Sequence, residues 1–120
     1  AVCSFAQAKE WREAFIVKNI TLNISHDPIG SIWSGRPAKP MSMARIMPLE
    51  SAGESVTSKI RRIREELTKN RAEGILITML DDIAWATNLR GNDVEYNPVL
   101  VAYLLITANN ATLFIDSKKS

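Results

Sequence analysis

Apolar residues recur at helical spacing near the start of the chain. Between residues 4 and 16 (SFAQAKEWREAFI), Phe5, Ala8, Trp11 and Phe15 lie 3, 3 and 4 apart, with Lys9, Arg12 and Glu13 off that line. This predicts an amphipathic helix capped by Ser4, its aromatic stripe turned into a core. Next, ITLNI alternates Ile20, Leu22 and Ile24 with Thr21 and Asn23, the period of a half-buried strand. From Asp27 to Gly53 the pattern is repeatedly broken, because four of the five prolines and three of the five glycines fall there. Ile29, Ile32, Trp33, Met41, Met43, Ile46 and Met47 make this stretch too apolar for a flexible linker, so it reads as a connector packed along a domain surface.

Beyond the connector, Val56, Ile60, Ile63 and Leu67 recur at 4, 3 and 4 behind Ser55, predicting a capped helix that ends near Gly74. Its other face carries Lys59, Arg61, Arg62, Arg64, Lys69 and Arg71 among Glu65, Glu66 and Glu73, and reads as solvated. No aromatic residue interrupts that face to stack on bases, which argues against nucleic acid. Ile75 to Thr78 reads as a buried strand, followed by a turn of helix capped by Asp81 or Asp82 with Ile83, Ala84 and Trp85 directed inward. From Pro98 the run VLVAYLLIT leads to the turn Ala108-Asn109-Asn110 and returns as TLFID, a predicted β-hairpin. Helices alternating with apolar strands place the chain in the α/β class.

Composition narrows the function classes. The 120 residues are 46% apolar and 23% charged, in the range of one small folded domain. A net charge of +2 supplies no overall drive toward nucleic acid or an anionic membrane. One cysteine, Cys3, and one histidine, His26, exclude a disulfide framework, a Cys/His zinc site and a multi-histidine centre within this chain. No apolar run reaches membrane-spanning length, so the chain reads as soluble, and its start at Ala1 reads as a processed or excised piece. Nucleotide-binding loops, hydrolase nucleophile elbows and zinc-protease motifs are absent. Neighbouring Asp81 and Asp82 would point about 100° apart on a helix and do not converge on one ion.

The chemistry-bearing stretch is the loop Asn88 to Asn97, NLRGNDVEYN, set between apolar segments. It offers the Arg90 guanidinium, the amides of Asn88, Asn92 and Asn97, the carboxylates of Asp93 and Glu95, and the Tyr96 phenol. Two readings stand. Either the loop faces a ligand or partner, with Asn88, Arg90, Asp93, Tyr96 and Asn97 as candidates. Or it is internally bonded, Arg90 pairing with Asp82 or Asp93 and Gly91 supplying a positive φ.

Residues 80 to 99, LDDIAWATNLRGNDVEYNPV, closely resemble the D-E-I-A-W-L-x-N-L-R-G-x-D pattern of the Xaa-Pro aminopeptidases, the aminopeptidase P group. The resemblance continues through Leu113 to Asp116 and back, in order, through Ala52-Gly53-Glu54-Ser55, Lys59, Pro40, Arg36-Pro37 and Ile32-Trp33. It departs at His26 to Ser31, where the family often has N-L-V-D, and at Ala86-Thr87, which replace bulkier apolar residues beside Trp85. Long members of this family have two creatinase-type N-terminal domains and a C-terminal pita-bread domain that holds two divalent metals, often manganese. They cleave the N-terminal residue preceding proline, using metal-activated water.

The resemblance implies a mixed sheet flanked by helices of the creatinase N-terminal type, incomplete in this chain. Residues 1–26 would be the tail of a first such domain, 27–48 a Pro-rich connector and 49–120 the first half of a second, with the catalytic domain absent. No residue here inherits a metal role, so the chain alone is expected to be inactive and to need no cofactor. The parent would be a cytoplasmic homo-oligomer acting on peptides with proline second, with no nucleic acid or membrane partner. Its N-terminal region would contribute to domain arrangement, substrate access and dimer contacts. The alternatives are a stand-alone interaction module on a creatinase-type scaffold, or part of a prolidase- or creatinase-type hydrolase. A half sheet with an unpaired edge is further expected to self-associate, swap or be partly disordered.

Overall fold

Ser4 opens the first helix of this computed structural model, which describes residues 3–120. The Ser4 hydroxyl accepts from the Gln7 N–H, and the Gln7 side chain accepts from the Ser4 N–H, a reciprocal capping box that starts helix α1, Phe5–Ile16. A second, one-turn helix, α2, Pro28–Ile32, is capped by Asp27, whose carboxylate accepts from Ile29 and Gly30 and pairs with Arg36 at 3.0 Å. Contacts divide the chain into two units, the first ending at Ala38 and the second spanning Lys39–Ser120. The division falls inside the Pro-rich stretch.

Two expectations fail in the first unit. The aromatic stripe of α1 is not a core: no residue of the helix is buried, and Phe5 is 86% exposed. Residues 20–24 form no strand, because alternation sets which way side chains point but a strand needs a ladder partner, and none among the described residues pairs with ITLNI.

The second unit carries the core. Strand β1, Arg45–Ile46, and the short helix α3, Leu49–Ala52, precede helix α4, Val56–Lys69, whose Ser55 cap accepts from the Ser58 N–H. Strand β2, Gly74–Ile77, helix α5, Leu80–Thr87, and strand β3, Leu89–Arg90, follow. The hairpin strands β4, Tyr103–Thr107, and β5, Ala111–Phe114, lead to a final 3-10 turn, Ser117–Lys119. One sheet has the order β2-β4-β5 and a second pairs β1 with β3, all neighbours antiparallel. The α/β class and the hairpin thus stand.

Along β4, Leu104 and Ile106 are buried, and with Ala102 they meet Ile60 of α4 and Ile83 and Ala86 of α5. Helices α4 and α5 therefore cover one face of the sheet. The opposite face carries Leu76, Tyr103, Leu105, Thr112 and Phe114, which the register places together, and Leu76, Tyr103 and Phe114 are each more than half exposed. Strand β2 lies at the sheet edge and is not the buried strand its apolar run suggested. Gly74 is required at its start, since a Cβ there would meet the Ile106 carbonyl oxygen at 2.9 Å.

Helix α4 stops at Lys69, short of Gly74, because Arg71 adopts φ 56 in the left-handed region usually left to glycine, and the Ala72 N–H closes on the Leu67 carbonyl. Neither Asp81 nor Asp82 caps α5. Its N-cap is Met79, without a side-chain bond, and both aspartates sit in the first turn, where they face the positive end of the helix dipole. Ile83 and Ala84 are buried as expected, but Trp85 is 42% exposed. Ala86 is wholly buried, and the Thr87 hydroxyl donates to the Ile83 carbonyl at 2.6 Å.

Candidate functional site: a braced polar loop

The loop begins where α5 ends. Asn88 takes φ 55 and ψ 20, the left-handed conformation that turns the chain out of the helix. Its side chain is buried and doubly bonded: Nδ2 donates to the Glu54 carbonyl at 2.9 Å, and Oδ1 accepts from Lys59 Nζ at 2.6 Å. Lys59 Nζ also donates to the Trp85 carbonyl at 2.9 Å, placing an ammonium at the negative end of α5. The solvated face assigned to Lys59 is therefore corrected: the residue is 2% exposed and closes a helix terminus.

Trp85 lies under two cations. Lys59 Nζ is 5.0 Å from its ring centroid and the Arg62 guanidinium 5.7 Å. Arg62 in turn pairs with Glu54 at 2.6 Å. The Ser58 hydroxyl bonded to Glu54 holds this carboxyl below its usual range, partial desolvation opposes that, and Arg62 adds to the lowering.

Arg90 pairs with neither Asp82 nor Asp93. Its Nη1 donates to the Ala84 carbonyl at 2.5 Å and the Leu89 carbonyl at 2.8 Å, because the turn at Asn88 sends the side chain back under the exposed carbonyls of α5. Gly91 does not supply a positive φ either. It is needed for space, since a Cβ there would fall 2.1 Å from Leu100 Cδ2.

Asp93 is the internal anchor. Its carboxylate accepts from Lys119 Nζ, from the Ser42 hydroxyl at 2.8 Å, from the Ser42 N–H at 3.1 Å and from the Val101 N–H at 2.7 Å. The Asp93 side chain is fully buried and that of Lys119 is 3% exposed. Burial alone would push the carboxyl up, but Lys119, Val101 and Ser42 outweigh it and hold the group down at about 2. The Ala44 N–H donates to the Lys119 carbonyl and the Met47 N–H to the Asn88 carbonyl, so three chain segments meet beneath the loop.

The tip differs. Val94 and Asn97 bridge, the Asn97 N–H donates to the Val94 carbonyl at 3.2 Å, and between them Tyr96 stands at φ 61 and 98% exposed. Residues Asn92 to Pro98 surround an open hollow of about 610 Å³. Of the five candidates, Asn88, Arg90 and Asp93 are thus committed to internal bonds, while Tyr96 and Asn97 lie exposed at the tip. Sequence reasoning missed Ser42 and Lys119 as partners of Asp93. They stand 51 and 26 residues away, and no local pattern marks them.

Among the described residues, no group of three or more His, Cys, Asp or Glu side chains is placed to hold a metal ion. The donor set explains this: Asp27 caps α2, Glu54 holds Arg62, Asp93 holds Lys119, and Asp81 and Asp82 lie at adjacent helix positions. The residues present do not fit a divalent centre.

Residues 35–120 match the model of the creatinase/prolidase N-terminal domain. The chain belongs to this family. It is 51% identical over 89 residues to a probable Xaa-Pro aminopeptidase P of Fusarium vanettenii, covering 73% of this chain and 14% of that protein. It is 36% identical over 117 residues to aminopeptidase P1 of Lotus japonicus, covering 97% of this chain and 18% of that one. The chain therefore spans less than a fifth of the length of these relatives. Its fold matches a crystal structure of X-prolyl aminopeptidase from Caenorhabditis elegans with a TM-score of 0.75 at 24% identity, covering 98% of this chain and 19% of the other. That protein is described as a cytosolic enzyme with a di-nuclear active site. In this creatinase/prolidase-type region, the N-L-R-G-x-D pattern is a folding device: each of Asn88, Arg90, Gly91 and Asp93 closes a helix end, a packing gap or a buried ion pair.

Proposed function

We propose that this chain is the non-catalytic N-terminal region of a metallopeptidase that removes the N-terminal residue preceding proline. The observation that carries the reading is the 51% identity to a probable Xaa-Pro aminopeptidase P, with 14% of that relative's length covered. In this reading, residues 1–26 end a first creatinase-type domain, 27–48 connect, and 49–120 begin a second. The catalytic domain, with two divalent ions, proposed to be manganese, lies outside these residues. The di-nuclear site and cytosolic location described for the Caenorhabditis elegans enzyme support the metal count and a cytoplasmic parent. Among the described residues, no helix is long and apolar enough to cross a membrane.

The region's part is to present the braced loop toward arriving peptides with proline at the second position, with Tyr96 and Asn97 outermost and Asn88, Arg90 and Asp93 holding the frame. Subunit contacts are a second part. The unpaired edge of β2 and the apolar face bearing Leu76, Tyr103 and Phe114 support homo-oligomer formation. The test is turnover of an Xaa-Pro-Pro peptide with added Mn²⁺. The protein encoded by the whole reading frame cleaves it, and the 120-residue chain does not. Turnover by the 120-residue chain, or failure of the whole protein, overturns the reading.

A further inference from the structure

We draw no further inference here: the strongest candidate, the apolar groove of about 600 Å³ between helix α4 and the edge strand β2, lined by Ile63, Leu67, Ile75 and Trp85, carries nothing, because nothing in the structure shows what covers it in a chain that spans less than a fifth of its relatives' length.

Discussion

The two units use similar residues and reach opposite outcomes. Up to Ala38 the side-chain hydrogen bonds span nine residues or fewer, and helix α1, with a complete capping box, buries none of its residues. From Lys39 onward, bonds run 26, 29, 34, 43 and 51 residues along the chain, and Ile106 and Ala86 lose all contact with solvent. Capping and spacing are local properties that a short segment satisfies alone. A core needs surfaces returned from distant sequence, and among the described residues the second unit has them. Phe5, Trp11 and Phe15 mark a helix whose apolar side no returning segment buries within these residues.

The largest expected effect is on the distant bonds. Lys119→Met leaves the Asp93 carboxylate buried without its ammonium and is expected to destabilise the second unit by about 3–5 kcal/mol in urea unfolding. A loss below about 1 kcal/mol would show that the pair contributes as a surface pair does. Ile106→Ala, at a fully buried position, is expected to cost about 2–5 kcal/mol, whereas Phe5→Ala should change the stability of the 120-residue chain by no more than about 0.5 kcal/mol. Destabilisation by Phe5→Ala comparable to that of Ile106→Ala would break the contrast between the units.

Acid sharpens the contrast by a smaller amount. The Asp93 carboxyl stands at about 2 in the fold against an ordinary 3.8. A group depressed on folding stabilises above its unfolded value and loses that contribution as pH falls through the folded one. Stability should thus be level with respect to Asp93 above pH 4 and decline between about pH 4 and 2 by roughly 2 kcal/mol. Asp93→Asn should remove that part of the acid slope in pH-dependent unfolding. A smaller effect than the acid slope is local to the first unit: Ser4→Ala, deleting the cap hydroxyl, is expected to lower α1 stability by about 1 kcal/mol, seen as lost helical ellipticity.

What the sequence disclosed follows the same division. Helix α4, the hairpin and both serine caps were legible because each depends on neighbours within a few residues. The strand expected at 20–24 was wrong because its alternation found no partner, and the α4 stop was misplaced because Arg71 took a left-handed turn that side chains other than glycine seldom adopt. The loop was legible as a polar stretch that either faces a ligand or bonds internally, but the internal partners named for it were misassigned. Arg90 turned to the Ala84 and Leu89 carbonyls, and Asp93 found a lysine 26 residues further along the chain. Lys59 carried a clue in the resemblance, which matches it in order after Ala52-Gly53-Glu54-Ser55, although its helical spacing put it on the wet face.

The Asp93–Lys119 pair also imposes an order of events on a growing chain. Helix α4 can coil as it emerges, and β2 can wait beside it, but the carboxylate that anchors the loop has no ammonium to meet until another 26 residues have been made. Before then, burying Asp93 would be unfavourable, which keeps Ser42, the N-L-R-G turn and Val101 from locking prematurely. The loop's anchor is therefore complete only once the residues that follow the hairpin have been made.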